Sequence, residues 1–235
     1  MERSIALSDE IRSLRARTLA ELTAAYDYFA DTKTAWRLVR RVVKSGHKLK
    51  VRNKATSTIT TQAELVARAP HYIAGPLAEA TFQQFIALFE GFYFDLLQLW
   101  LTAHPQSLGR KTIELRSILD LPDKDAVVQA IVLNELHEVV YKRPADWFAY
   151  LEERAKLGCP SSDEIARITE AKATRDVLVH NRGVANATYL RKAGALARVA
   201  EGEYLDVPAE YHRAVWNLLR KVVADLSDAA LAKAV

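Results

Sequence analysis

Between Pro76 and His104 the chain places Phe82, Phe85, Ile86, Phe89, Phe92, Tyr93, Leu96, Leu97 and Trp100 three or four residues apart. That period puts them on one face of a helix predicted over about 77–103. A stripe this aromatic has to be covered, by other helices of the chain or by a second subunit. The run from Phe82 to Leu101 is interrupted by Gln83, Gln84, Glu90, Asp95 and Gln98. It therefore reads as an amphipathic helix rather than a membrane span. Glu90 lies on the stripe itself, between Ile86, Tyr93 and Leu97, and a carboxylate on an apolar face needs a partner.

The rest of the chain reads as more helix. With 8 Gly and 7 Pro in 235 residues, and Ala and Leu plentiful, composition favours helix over strand. Ser8 or Asp9 can cap a first helix to about Ala30, with Ile11, Leu14, Thr18, Leu22, Ala25 and Phe29 on one side. A second helix is expected over 32–44, ended by Gly46. Residues 46–61 read as a loop or extended segment. They mark the expected boundary between an N-terminal helical extension, 1–60, and a main domain, 61–235. Further helices are expected at 61–68 (stopped by Pro70), 107–119, 123–141, 144–157 and from about 161. A last helix is expected from Pro208 to about Lys233. The one plausible hairpin is at 195–207, with Ala197–Val199 and Tyr204–Val207 joined by a turn at Glu201-Gly202. The expected fold class is an all-α bundle with a small hairpin before the last helix.

Half of the residues are hydrophobic, ample for a core. The single Cys159 excludes an intramolecular disulfide, and no apolar leader is visible, so a reducing, cytoplasmic setting is expected. The net charge of +4 is local in origin. No acid occurs between Asp31 and Glu64, whereas that window holds nine basic residues, from Lys33 to Lys54, leaving 24 basic against 29 acidic side chains elsewhere. Such a segment suits a polyanion such as nucleic acid, and it contains Trp36, which can stack on a base or pack in a core. A solvated, charge-rich helix is the simpler alternative.

The densest chemistry lies at Arg175-Asp176-Val177-Leu178-Val179-His180-Asn181-Arg182-Gly183. Arginine offers a fixed fork of donors to phosphate, and histidine moves protons near neutral pH. Asp176 and His180 are four apart and share a helix face. Arg175 and His180 are five apart, about 140° on an ideal helix, and do not converge on a straight one. Convergence needs a reaching arginine, a loosened last turn, or a second copy of the segment across a dimer axis. Asn181 and Gly183 tolerate the left-handed conformation of a helix end. Each residue also has a structural alternative: Arg175 and Asp176 as a solvated face, His180 complementing the helix dipole, Asn181 and Gly183 as ordinary capping.

Arg175-Asp176-x3-His180 resembles the Arg-x(4–6)-His signature of the HEPN superfamily. The run His180-Asn181-Arg182-Gly183-Val184, followed by Asn186 and Tyr189-Leu190, is similar to its ribonuclease-like and abortive-infection branch, over roughly residues 75–230. The resemblance implies a HEPN-like helical bundle, forming a homodimer whose two Arg/His motifs meet at a composite site. It implies a metal-independent endoribonuclease in which the RNA 2′-hydroxyl attacks the adjacent phosphorus, leaving a 2′,3′-cyclic phosphate. His180 would be the general acid or base, Arg175 would hold the scissile phosphate, and Asp176 would orient His180. Asn181, Arg182 and Lys172 would contact RNA or phosphate, with Glu90 as a supporting acid. A toxin–antitoxin or phage-defence setting, with an antitoxin or regulatory protein as partner, follows from the same resemblance. No cofactor, metal or membrane is expected. The family also holds non-catalytic modules that dimerise and bind RNA or protein.

Several other chemistries lack their motifs. No phosphate loop, dinucleotide-binding glycine pattern or nucleophile elbow occurs. His137-Glu138 begins like a zinc-binding helix, but position 141 is Tyr. His47, His71, His104 and His212 stand alone and are expected at the surface or as caps.

Overall fold

The aromatic stripe is buried by the chain's own helices. In the computed structural model, which describes residues 2–53, 56–109, 116 and 121–234, with side chains from residue 5 onward, the architecture is all-α. The elements are α1 (Glu2–Lys44), β1 (Val51–Arg52), β2 (Ile59–Thr60), α2 (Gln62–Tyr72), α3 (Ala78–Ala103), α4 (Lys124–Val140), α5 (Pro144–Ala155), α6 (Ser162–His180), α7 (Ala187–Ala193) and α8 (Ala209–Lys233). The helix expected at 107–119 falls largely outside the described residues; Pro105–Leu108 form a 3-10 turn.

α3 is the central element. Phe82, Phe85, Phe89, Phe92, Tyr93, Leu96 and Leu97 are each 2% exposed or less. α1 and α8 pack on α3 and on each other, while α4, α5 and α6 close its other side. Burying such side chains contributes roughly 1.5–3 kcal/mol each before entropy is counted. The run Gln62–Ala103 is long and apolar enough to cross a membrane, but half of its most apolar stretch is buried inside the protein, as in a core helix.

Three expectations about the N-terminal part are corrected. The first two helices are one helix of 43 residues, about 64 Å long. Nothing between Asp9 and Ser45 is Gly or Pro, and Thr34 Oγ1 bonds back to the Ala30 carbonyl at 2.9 Å, so the ladder passes through Asp31-Thr32 without a break. Nor do residues 1–60 form a separate extension: Leu7, Ile11, Leu14, Leu22, Ala25 and Phe29 belong to the same core as α3 and α8. Only the far end of α1, with the β1–β2 hairpin and α2, stands outside that core. Finally, Pro70 does not stop α2. Pro70 and Pro76 remove two donors, and a π-helical turn at Ile73–Leu77 takes up the shifted register before α3.

The turn before the last helix is present at Ala200–Glu203, but its strand partner differs from the expected one. Tyr204 bridges Val184, not Ala197–Val199, and Leu205 N donates to Gly183 O at 2.7 Å. Residues 194–196 are a 3-10 turn, which carries 197–199 away. The two-stranded hairpin is instead β1–β2, with Val51 opposite Thr60 and Arg52 opposite Ile59.

His212, expected at the surface or as a cap, is fully buried. Its ring lies 4.1 Å from that of Phe29 and 4.7 Å from that of Phe85, with Nε2 2.8 Å from Thr81 Oγ1.

Candidate functional site

α6 carries the motif, and its sequence places both ends. Ser161 and Glu164 form a capping box at the start. Lys221 also donates to Glu164 at 2.7 Å, and with the cap it holds that carboxyl down at about 2. At the other end the helix runs through His180. The left-handed residues are Arg182 (φ 52) and Gly183 (φ 78), whereas Asn181 stays at φ −131. Asn181 therefore acts by side chain, its Nδ2 donating to the Val184 carbonyl. Gly183 is required on two counts: its positive φ, and the Tyr204 ring, which would lie 2.5 Å from any added Cβ.

Arg175 and His180 leave α6 in different directions, as their five-residue spacing dictates. Arg175 turns toward α3, where Nη2 donates to Glu90 Oε2 at 2.5 Å and Nη1 lies 3.3 Å from Asp176 Oδ1. Lys172 donates to the other Glu90 oxygen and sits 5.2 Å from the centroid of the Trp147 ring. Glu90 on the aromatic stripe is thus neutralised by two cations one helical turn apart on α6. Asp176 is bridged between Arg175 and Lys192, whose Nζ is 3.0 Å away. Among the described residues it makes no hydrogen bond to His180.

His180 is exposed and opens onto a groove of about 300 Å³ lined by Asp176, Asn181, Asn186, Thr188 and Lys192. Its imidazole has no hydrogen-bond partner among the described residues. A second depression of about 220 Å³ continues along α6 and shares Ala173, Asp176 and Lys192 with the first, adding Lys172 and Arg143. Arg175 lines neither. Arg182 is exposed beside the groove's end and has no ion-pair partner among the described residues.

One protomer therefore gathers His180, Asp176, Asn181, Asn186 and Lys192 on one side of α6. It puts Arg175 with Glu90 on the other, and Lys172 reaches Glu90 while also lining the second depression. The groove side supplies an imidazole, an ammonium, amides and a hydroxyl, a set able to receive a phosphodiester and move a proton. No group of three His, Cys, Asp or Glu side chains converges to hold a metal ion among the described residues. The Cys159 thiol is pushed up, first by burial and then by nearby carboxylates, which leaves it a poor nucleophile.

Two features escaped the linear reading. Lys192, at the end of the seven-residue α7, reaches Asp176 only through the fold. Glu170 was legible: it lies three, four and seven residues before Ala173, Thr174 and Val177, on their buried face. It is 4% exposed and accepts from Thr174, Tyr189, Tyr211 and Arg198 at 2.7, 3.1, 2.6 and 3.2 Å. Arg198 also lies 3.7 Å from the Tyr211 ring centroid. This network ties the 198–206 segment to α6, α7 and α8, and thereby fixes the wall of the groove.

Comparison with known proteins finds no protein-family model, curated protein or solved structure that matches the chain.

Proposed function

We propose that the protein is a metal-independent endoribonuclease of HEPN type, acting in the cytoplasm as a homodimer. The observation that carries this reading is the state of His180. It stands exposed at the end of α6, without an internal hydrogen-bond partner among the described residues, on a groove that also presents Lys192, Asn186 and Thr188. An imidazole so placed is available to a 2′-hydroxyl or to a leaving oxygen. Lys192 and Arg182 supply positive charge toward the phosphate on the same side.

Arg175 has a narrower part to play within one subunit. To bind the scissile phosphate it exchanges Glu90 for the substrate, or serves a site completed by the second copy of the motif. Asp176 acts on the groove's charge balance through Lys192, and Lys172 braces Glu90. In this reading Asn181 braces the 181–184 turn that presents His180. The biological setting that fits is a toxin or phage-defence RNase held in check by an antitoxin or regulatory protein.

The pairing of Arg175 and Lys172 with Glu90 favours a second reading. Both cations are engaged within the fold, as structural residues would be, in a non-catalytic HEPN-like module that dimerises and binds RNA or protein. The ends of the products decide between the two. Labelled single-stranded RNA incubated with the protein in EDTA should give fragments ending in 2′,3′-cyclic phosphate. RNA left intact by a folded dimer would favour the binding module.

A further inference from the structure

The far end of α1 and the hairpin beside it carry charge that the rest of the fold does not use. Arg37, Arg40, Arg41 and Lys44 fall at i, i+3, i+4 and i+7, so they form one stripe along α1 about 10 Å long. All four are exposed. Past the turn at Ser45–His47, Lys48, Lys50 and Arg52 follow at every second position and are also exposed, Arg52 on β1. None of these seven has an acidic partner among the described residues. Lys33, one turn before the stripe, has its pKa lowered by burial first and then by the charges of Arg37 and Arg213.

The segment is held in shape. Gln62 brackets Leu49, accepting from its N at 2.9 Å and donating to its carbonyl at 2.6 Å. Trp36 meets Tyr72 of α2 edge-on at 5.1 Å between centroids, so it packs in the fold and is not a free base-stacking platform. Val39, Val42 and Val43 are half-buried along the same flank. Of the large apolar side chains between Lys33 and Lys44 only Leu38 is exposed, too little for the broad apolar face a membrane-surface helix inserts. Four of the seven cations are arginines, whose fork suits phosphate oxygens.

We infer that the end of α1 and the β1–β2 hairpin form a binding arm for the phosphate backbone of single-stranded RNA, separate from the His180 groove. Each of the four cations on the stripe can neutralise one phosphate of a flexible single strand. The arm reads charge and not sequence, because no aromatic or amide group stands free along the stripe to contact bases. The choice of RNA as ligand rests on the ribonuclease reading; the arm's affinity for a phosphate backbone does not.

The test uses the full chain and a labelled single-stranded RNA, with binding followed by anisotropy across a salt series. Replacing Arg37, Arg40, Arg41 and Lys44 together by Gln should weaken binding at least tenfold near physiological salt. The slope of log K against log salt should fall by about 3, at about 0.7 per neutralised phosphate. Lys48→Gln, Lys50→Gln and Arg52→Gln together should act in the same direction. An unchanged affinity and slope would overturn the inference. So would loss of binding to phosphatidylserine vesicles while RNA binding stays intact. The arm and the groove fail separately: a wild type that binds RNA through the stripe but never cuts it sinks the ribonuclease reading and leaves the arm standing. If the wild type cuts, the fourfold variant at saturating RNA should retain its rate within about twofold.

Discussion

Arg175 Nη2 lies 2.5 Å from Glu90 Oε2, joining two residues 85 positions apart across the α3–α6 contact. Glu90 also receives Lys172, so one part-buried carboxylate offsets two cations. Glu90→Ala should cost about 2–3 kcal/mol, because it leaves both cations without their acceptor in a half-buried setting. Removing Arg175 as well should restore part of that loss. A double-mutant cycle in urea should show a coupling of about 1–2 kcal/mol. Additive single effects would mean that the pair contributes nothing to the α3–α6 contact.

Gly183 and Tyr204 form a second such pair. Gly183→Ala forces a Cβ into the Tyr204 ring and keeps a positive φ, and should cost about 2–4 kcal/mol. In a Tyr204→Ala background the ring is gone, and only about 1–2 kcal/mol from the backbone should remain. Equal losses in both backgrounds would show that the ring yields freely.

Glu170 is the hub that holds the groove wall. Glu170→Ala strands Arg198, Thr174 and two tyrosine hydroxyls in a buried site, and should cost about 3–5 kcal/mol by urea midpoint. A loss below about 1 kcal/mol would contradict the network's role.

His212 gives the fold a pH dependence of known sign. Burial first, and the charge of Lys33 second, hold its pKa down at about 4. The unfolded chain therefore binds a proton that the folded one refuses between about pH 6.5 and 4. Stability should fall as pH drops through that window, by up to about 3 kcal/mol from this group. In His212→Leu the Thr81 hydroxyl keeps its bond to the Leu77 carbonyl at 2.8 Å, and the decline over that window should be smaller by a similar amount. An unchanged decline would place the acid sensitivity elsewhere.

Much of the fold was legible because periodicity reports burial directly. The α3 stripe, the buried side of α1 and the helices at Lys124, Pro144, Ser162 and Ala209 follow from spacing and caps. Where the chain reverses was harder to read. Asp31-Thr32 has the look of a cap, but caps act only where the backbone turns extended, and no breaker forces that here. Tyr204 was expected to pair with Ala197–Val199, five to seven residues away; it pairs with Val184, where the missing Cβ of Gly183 leaves room for its ring. At the site, the failure of Arg175 and His180 to converge was written in their spacing. The partners of the motif, Lys192 and Glu90, come from elements 16 and 85 residues distant from the residues they meet. No local pattern in the sequence carries that information for Lys192.

The central claim concerns His180, and its direct test is the single-turnover rate of single-stranded RNA cleavage in EDTA by the wild type and by His180→Ala. The side chain is exposed, so the variant should unfold at the same urea concentration as the wild type. Its cleavage rate should fall by about 10²–10⁴, the range of a lost acid–base group. Cleavage by His180→Ala at the wild-type rate would contradict the account.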